Sequence, residues 1–154
     1  MILTPPTIFS ALSATPVLAG INQPALDMLA EEGIVHEFHL TDLIVREGDA
    51  GHSFFILVEG NVEVIKHHDT PHAVILATLR SRTFFGEMCV IDPVPRAATV
   101  RALSNVKAIE INAATLYHLF KRFPDQYAIV LLNLARDLVR RLRVLDENFA
   151  ARTS

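Results

Sequence analysis

"FFGEMCVIDPVPRAATV", residues 84–100, sets Glu87 and Arg96 in a largely apolar run. Gly86 precedes the first and Pro95 the second. A glycine lets the backbone come close to a ligand. "GEMCVI" can form one short helix, and the unpaired N–H groups of a helix start suit an anion. Glu87 cannot hold a phosphate, but it can accept hydrogen bonds from sugar hydroxyls. Arg96 carries a planar fork matched to two phosphate oxygens. Pro95 stiffens the approach to it, and Ala97 and Ala98 are small enough for their N–H groups to reach a ligand. These groups describe a sugar-phosphate pocket. A single arginine suits a singly charged phosphodiester better than a triphosphate, which needs a lysine-bearing loop and a metal. No GxxxxGK[ST] loop is present. The competing reading is that Glu87 and Arg96 pair with each other at a sheet edge.

Upstream of this stretch, residues 34–83 alternate short segments rich in Val, Ile and Phe with turn residues. The segments are "IVHEFHL", "LIVRE", "SFFILVE", "NVEVIKH" and "AVILATL"; "ATVRAL" and "VKAIEI" follow the stretch. Short strands at this spacing predict an all-β sandwich or barrel. Gly60-Asn61 reads as a tight hairpin. Before the strands, "QPALDMLAEE" (23–32) has helical spacing, with Pro24 in the first turn and Gly33 as a stop. After them, "NAATLYHLFKRF" reads as a short amphipathic helix capped by Asn112. A long helix starts at Pro124. Its Tyr127, Leu131, Leu134, Leu138, Leu142, Leu145 and Phe149 form a stripe that needs a partner. One domain is expected over 1–154: a helical lead-in to about 33, a β body over 34–111, and helices over 112–150.

The composition narrows the function. With 154 residues, 51% hydrophobic and 20% charged, the chain is long and apolar enough for a real core. A net charge of -3 speaks against a general nucleic-acid binder. The apolar start "MILTPPTIFSALSATPVLAG" has no Lys or Arg before Arg46 and contains Pro5, Pro6 and Pro16, so it does not read as a signal peptide. No run reaches the roughly 18 residues of a membrane span. Cys89 is the lone cysteine, so no internal disulfide can form. A cytoplasmic protein is expected.

The stretch resembles the phosphate-binding cassette of cyclic nucleotide-binding domains. "FGE", seven residues, then "PRAATV" carries the likeness. "VREGDAGHSFFILVEGNVEVI", with Gly48, Asp49, Gly51 and Gly60, resembles the same family's glycine-punctuated β segment. The resemblance runs from about residue 17 to 150. It implies an antiparallel β-roll, jelly-roll-like (a double-stranded β-helix), with N-terminal helices, a short cassette helix and a long C-terminal helix. It implies that Glu87 holds the ribose 2′-hydroxyl and Arg96 the cyclic phosphate. Gly86, Met88, Ala97 and Ala98 match positions that lend backbone or packing. A Thr or Ser after the arginine favours cGMP in the family, so Ala97 tilts the expected ligand to cAMP over cGMP. The ligand would then supply the partners of Glu87 and Arg96. The family uses its last helix as a lid over the base, and the candidates here are Leu131, Leu134, Ala135 and Leu138. No DNA-binding domain follows the long helix, and Met1 with a full helical tail suggests a complete chain.

The remaining clusters carry less. His67, His68 and His72 fall in one hairpin and could hold a metal, but read better as a polar loop. "HEFH" (36–39) is not HExxH, and its histidines would point to opposite faces of a strand. Cys89 reads as a small buried hydrophobe. Arg136, Arg140, Arg141 and Arg143 interleave with Asp137, Asp146 and Glu147 as a solvated helix face. The end of the stripe, from Leu138 to Phe149, could pair with a second copy. No nucleophile–base pair or metal cluster marks an enzyme, and a phosphodiesterase would need one. The expectation is a cAMP-binding regulatory sensor without a cofactor, acting on an unknown downstream protein. A non-sensing dimerising scaffold, or a partner-binding module on the same fold, is the alternative.

Overall fold

The computed structural model describes residues 5–153. Residues 1–4, where the apolar start begins, and Ser154 lie outside them. The lead-in holds helix α1 (Pro5–Ala14), a 3-10 turn (Pro16–Leu18) and helix α2 (Gln23–Glu32). Of the prolines expected to interrupt this region, Pro5 and Pro6 start α1 and Pro16 starts the 3-10 turn, because a first helical turn has no N–H bond to lose. Asn22 caps α2 by accepting from Ala25 N at 3.1 Å. Gly33 ends it, donating its N–H to Leu29 O at 2.8 Å.

Eight strands follow: β1 (Ile34–Phe38), β2 (Leu43–Val45), β3 (Ser53–Glu59), β4 (Val62–Lys66), β5 (Val74–Leu79), β6 (Phe84–Phe85), β7 (Thr99–Ala102) and β8 (Val106–Asn112). A short helix α3 (Met88–Ile91) sits between β6 and β7, and α4 (Ala113–Arg122) and α5 (Pro124–Thr153) close the chain. Two four-stranded antiparallel sheets result, ordered β1-β8-β3-β6 and β2-β7-β4-β5. This is the expected β-roll. Strand β6 is an addition, since "FF" at 84–85 is too short to read as a strand.

Gly60-Asn61 does not make a hairpin. It joins β3 of one sheet to β4 of the other. Gly60 has φ +91, and a Cβ there would lie 2.4 Å from Asn105 O. Asn61 N donates to Ser104 Oγ at 3.1 Å, and Leu103 N to Asn61 O at 2.9 Å. The glycine that favours a tight turn serves here as a corner between sheets, with its partners in residues 103–105.

Alternation along β3 and β8 divides the core. Phe54, Ile56, Ile109 and Ile111 face the helices and pack with Leu18, Leu29, Leu119, Val130 and Leu134. Phe55, Leu57, Val106 and Ala108 face the other sheet and meet Val62, Phe85, Val100 and Ala102. Each fully buried aliphatic or aromatic side chain contributes about 1.5–3 kcal/mol. Asn112 caps α4 as expected, accepting from Thr115 N at 3.0 Å. The start of α5 is tied to the lead-in. Gln126 Oε1 accepts from Asn22 N at 2.7 Å, and Asn133 Nδ2 donates to Ala19 O at 2.8 Å.

Candidate functional site

Arg96 lies in the loop between α3 and β7, and its backbone is fixed by the β2–β3 loop. Gly48 N donates to Arg96 O, and Arg96 N to Asp49 O, each at 2.8 Å. Gly51 lies directly under the side chain: a Cβ there would sit 2.2 Å from Arg96 Nε and 2.5 Å from Cζ. Gly86, at φ +86, would put a Cβ 2.6 Å from Nη1. The two glycines are therefore demanded by the arginine they flank.

Arg96 is 7% exposed. Nη1 donates to Ser53 O at 2.8 Å and to Gly86 O at 3.3 Å; Nη2 donates to Ser53 Oγ at 3.2 Å. Its Cζ stands 5.9 Å from the centroid of the Phe55 ring, within cation–π range. The Nε–H and the second Nη2–H have no acceptor among the described residues. These two donors share one edge of the fork, the arrangement that accepts two oxygens of one anion.

Glu87 follows β6 and precedes α3, and it is 1% exposed. It does not pair with Arg96. Its Oε1 lies 2.5 Å from Nη1 of Arg141 on α5, and Arg141 Nε lies 2.9 Å from Asp137 Oδ2. Neither Glu87 Oε1 nor Asp137 Oδ2 receives a donor at hydrogen-bond angles, so charge rather than direction joins them to Arg141. The Arg141 guanidinium also stands 5.9 Å from the Phe84 ring centroid. Burial pushes the Glu87 carboxyl above the ordinary carboxylate range; Arg141 opposes that shift and Asp137 adds to it. Glu87 and Arg96 thus have protein partners, where the sequence reading left those partners to a ligand.

The other expected site residues fall unevenly. Ala98 is half-buried, Ala97 is exposed, and Met88 is 47% exposed at the start of α3. Lys66 Nζ donates to Ala97 O at 2.7 Å, tying β4 to the cassette. On α5, Leu134 is taken into the helical core and cannot cover a ligand from there. Leu131 and Ala135 are exposed and Leu138 is half-buried. The helix meets Glu87 through Arg141 instead. Arg136, Arg140 and Arg143 are solvated as expected, whereas Arg141 reaches the cassette. It stands one turn beyond Asp137, which holds its Nε. Ser53 and Glu110 carry no signal in the sequence, and His36 is weighed there only as a metal ligand, because nothing in a single strand reveals which side chains meet across a sheet.

Within the cassette, Cys89 is buried and its Sγ lies 3.4 Å from Val94 O. The His67–Asp69 turn binds Glu47, whose Oε1 accepts from His67 N at 3.0 Å. No cluster of three or more His, Cys, Asp or Glu could hold a metal ion among the described residues. No helix there is long and apolar enough to cross a membrane.

The family model described as the cyclic nucleotide-binding domain matches residues 35–123, which include every cassette residue named above. The chain belongs to the cyclic nucleotide-binding domain family. The cAMP-dependent protein kinase regulatory subunit of Dictyostelium discoideum is 38% identical over 76 residues, covering 46% of this chain and 23% of that protein. The CRP-like cAMP-activated global transcriptional regulator of Mycobacterium tuberculosis is 23% identical over 139 residues, 90% of this chain and 60% of that protein. A cyclic nucleotide-binding domain from Methylobacillus flagellatus superposes with TM-score 0.82 at 21% identity, over 97% of this chain and 84% of that one. The Thermus thermophilus catabolite activator protein gives TM-score 0.77 at 25% identity, over 88% and 62%. The chain spans about a quarter or less of the kinase regulatory subunits it matches.

Proposed function

We propose that this cyclic nucleotide-binding domain is a cAMP-preferring receptor that signals through the position of α5. The observation that carries the reading is the Arg96 fork. One edge is committed to Ser53, and the other keeps two donors for a singly charged phosphodiester. Glu87 is the acceptor for a ribose 2′-hydroxyl, and Ala97 leaves no hydroxyl to select a guanine. The kinase regulatory subunits and the transcriptional regulator that the chain resembles are cAMP-dependent or cAMP-activated by name.

Both anchors are almost fully buried, so a ligand reaching them must displace part of the cassette or of α5. Because Arg141 joins Glu87 to α5, the helix feels what happens at the ribose site. The ligand can shift the helix only by its differential affinity for the two positions. The role is binding rather than catalytic, and the downstream partner is a protein able to read α5.

Calorimetric titration with cAMP and cGMP tests the reading. Arg96→Leu removes the two free donors, each worth about 1.5–3 kcal/mol when charge-assisted, so cAMP affinity should drop at least about 100-fold. An unchanged dissociation constant for that variant, or no heat from the parent chain with either nucleotide, overturns the proposal.

The scaffold alternative draws on one observation. Val139, Leu142, Val144 and Leu145 are each more than half exposed along the outer half of α5. Pairing with a second copy would cover them. Sedimentation of the parent chain and of Leu142→Asp/Leu145→Asp separates the readings: a dimer dissolved by the substitutions, in a protein that binds no nucleotide, favours the scaffold.

A further inference from the structure

Strands β1, β8 and β3 lie side by side, and alternation turns His36, Glu110, Ser53 and Phe55 to the inner face of the roll. Glu110 stands opposite Phe55 in the ladder, one diagonal from Ser53 on one side and from His36 on the other. Its two oxygens are both used. Oε2 accepts from Ser53 Oγ at 2.6 Å, and Oε1 lies 2.8 Å from His36 Nε2. Burial would raise the Glu110 carboxyl, but the Ser53 and His36 hydrogen bonds, helped by the charges of His36 and Arg96, bring it below the ordinary range.

A hydroxyl has one proton. Ser53 gives its proton to Glu110, so its lone pairs face Arg96 Nη2. A Ser53 rotor free to turn would present its proton to the guanidinium part of the time and lose that contact. Glu110 is also the carboxylate nearest along this chain to a buried guanidinium that touches none directly.

We propose that Glu110, held by His36 and acting through Ser53, is a positioning residue for Arg96: it commits one edge of the fork to Ser53 and so aims the other at the phosphate. The proposal rests on the receptor reading above for its ligand, and on the geometry alone for its effect on Arg96.

The test uses the full chain with cAMP as the probe. Glu110→Ala should weaken binding about tenfold, the scale of coupling within one hydrogen-bond network. Glu110→Gln, whose amide oxygen still accepts the Ser53 proton, should stay within about threefold of the parent. In a Ser53→Ala background, Glu110→Ala should add less than about twofold, because the link is already cut. Parent-like affinity for Glu110→Ala, or its full loss repeated in the Ser53→Ala background, overturns the proposal. A ligand-free measurement separates it from the receptor reading. In nitrogen-15 spectra of the arginine side chains, Arg96 Nη rotation should be hindered in the parent and in Glu110→Gln, and freed in Glu110→Ala. If the parent binds neither cAMP nor cGMP, the receptor reading falls, and these spectra alone decide: freed rotation supports the positioning role, and unchanged spectra end it.

Discussion

Arg141 of the C-terminal helix lies 2.5 Å from Glu87 of the cassette, so the residue expected to grip a ribose is already joined to the element expected to move. The partner of Arg141 on the helix side, Asp137, sits one turn earlier and holds the guanidinium in place.

Replacing Arg141 should therefore loosen the helix rather than the roll. Arg141→Ala leaves Glu87 buried without its counter-charge, at a cost of about 1–2 kcal/mol, reduced because the arginine itself is half exposed. Hydrogen exchange should quicken from Asp137 towards the end of α5 while the strands keep their protection. Equal protection of α5 in both proteins would show that the pair carries no load.

Glu87 should give the ligand-free protein a distinctive response to pH. Its carboxyl is raised above the ordinary value of 4.5 by burial. Below about 4.5 the group is protonated in both folded and unfolded chains, and its ionisation costs nothing. As pH rises through the raised folded value, the unfolded chain has already released the proton and the folded chain must follow, so stability is lost. Urea midpoints of the parent and of Glu87→Gln, measured from pH 4 to pH 8, should show the parent losing ground to the variant as pH rises. A parent that gains ground instead contradicts the assignment.

The glycines around Arg96 offer a steric test. A Cβ at Gly51 would stand 2.2 Å from Nε, so Gly51→Ala must push the side chain off its seat. Gly86→Ala meets Nη1 at 2.6 Å and also pays for its positive φ. Both should lower cAMP affinity by about 10- to 100-fold, the scale on which misplacing a positioned group acts. Gly48→Ala, whose Cβ would meet nothing within 4 Å but whose φ is +87, separates backbone strain from steric displacement. It should cost stability with a smaller effect on affinity.

In the proposed receptor, Ala97 is the seat of the nucleotide preference. Ala97→Thr supplies a hydroxyl beside the arginine, in an exposed position where it causes no packing clash. The ratio of cGMP to cAMP affinity should rise at least about fivefold, the worth of one hydrogen bond of about 1 kcal/mol. A ratio that stays fixed would place base selection elsewhere.

Much of the architecture could be read residue by residue. Asn22, Gly33 and Asn112 mark helix ends by local chemistry, and each does so in the structure. Seven strands announce themselves by Val, Ile and Phe between turn residues. Gly60 was legible as a bend but not as a corner between sheets, because its partners at 103–105 lie more than forty residues away. The site divides in the same way. Gly86, Glu87 and Arg96 stand in one quoted stretch, and their spacing carries the family likeness. Arg141, Ser53, Glu110 and His36 reach the site from α5, β3, β8 and β1. Strand pairing within one sheet and the packing of α5 bring them there, and no spacing along the chain records it. Leu134 shows the converse: of the stripe's inner residues it alone is buried in the helical core, while Tyr127 is partly buried and Leu131 stays exposed.

The length of α5 turns it into a lever. Leu134 is locked in the core, while Thr153 stands nineteen residues further along the same helix. At 1.5 Å per residue, that arm is about 28 Å, so a tilt of about 10° at the anchor would carry its tip through about 5 Å. Arg141 grips the arm about a third of the way out. An adjustment of about 2 Å at Arg141 would thus be magnified nearly threefold at the far end, over a distance a docked protein would register as a different surface.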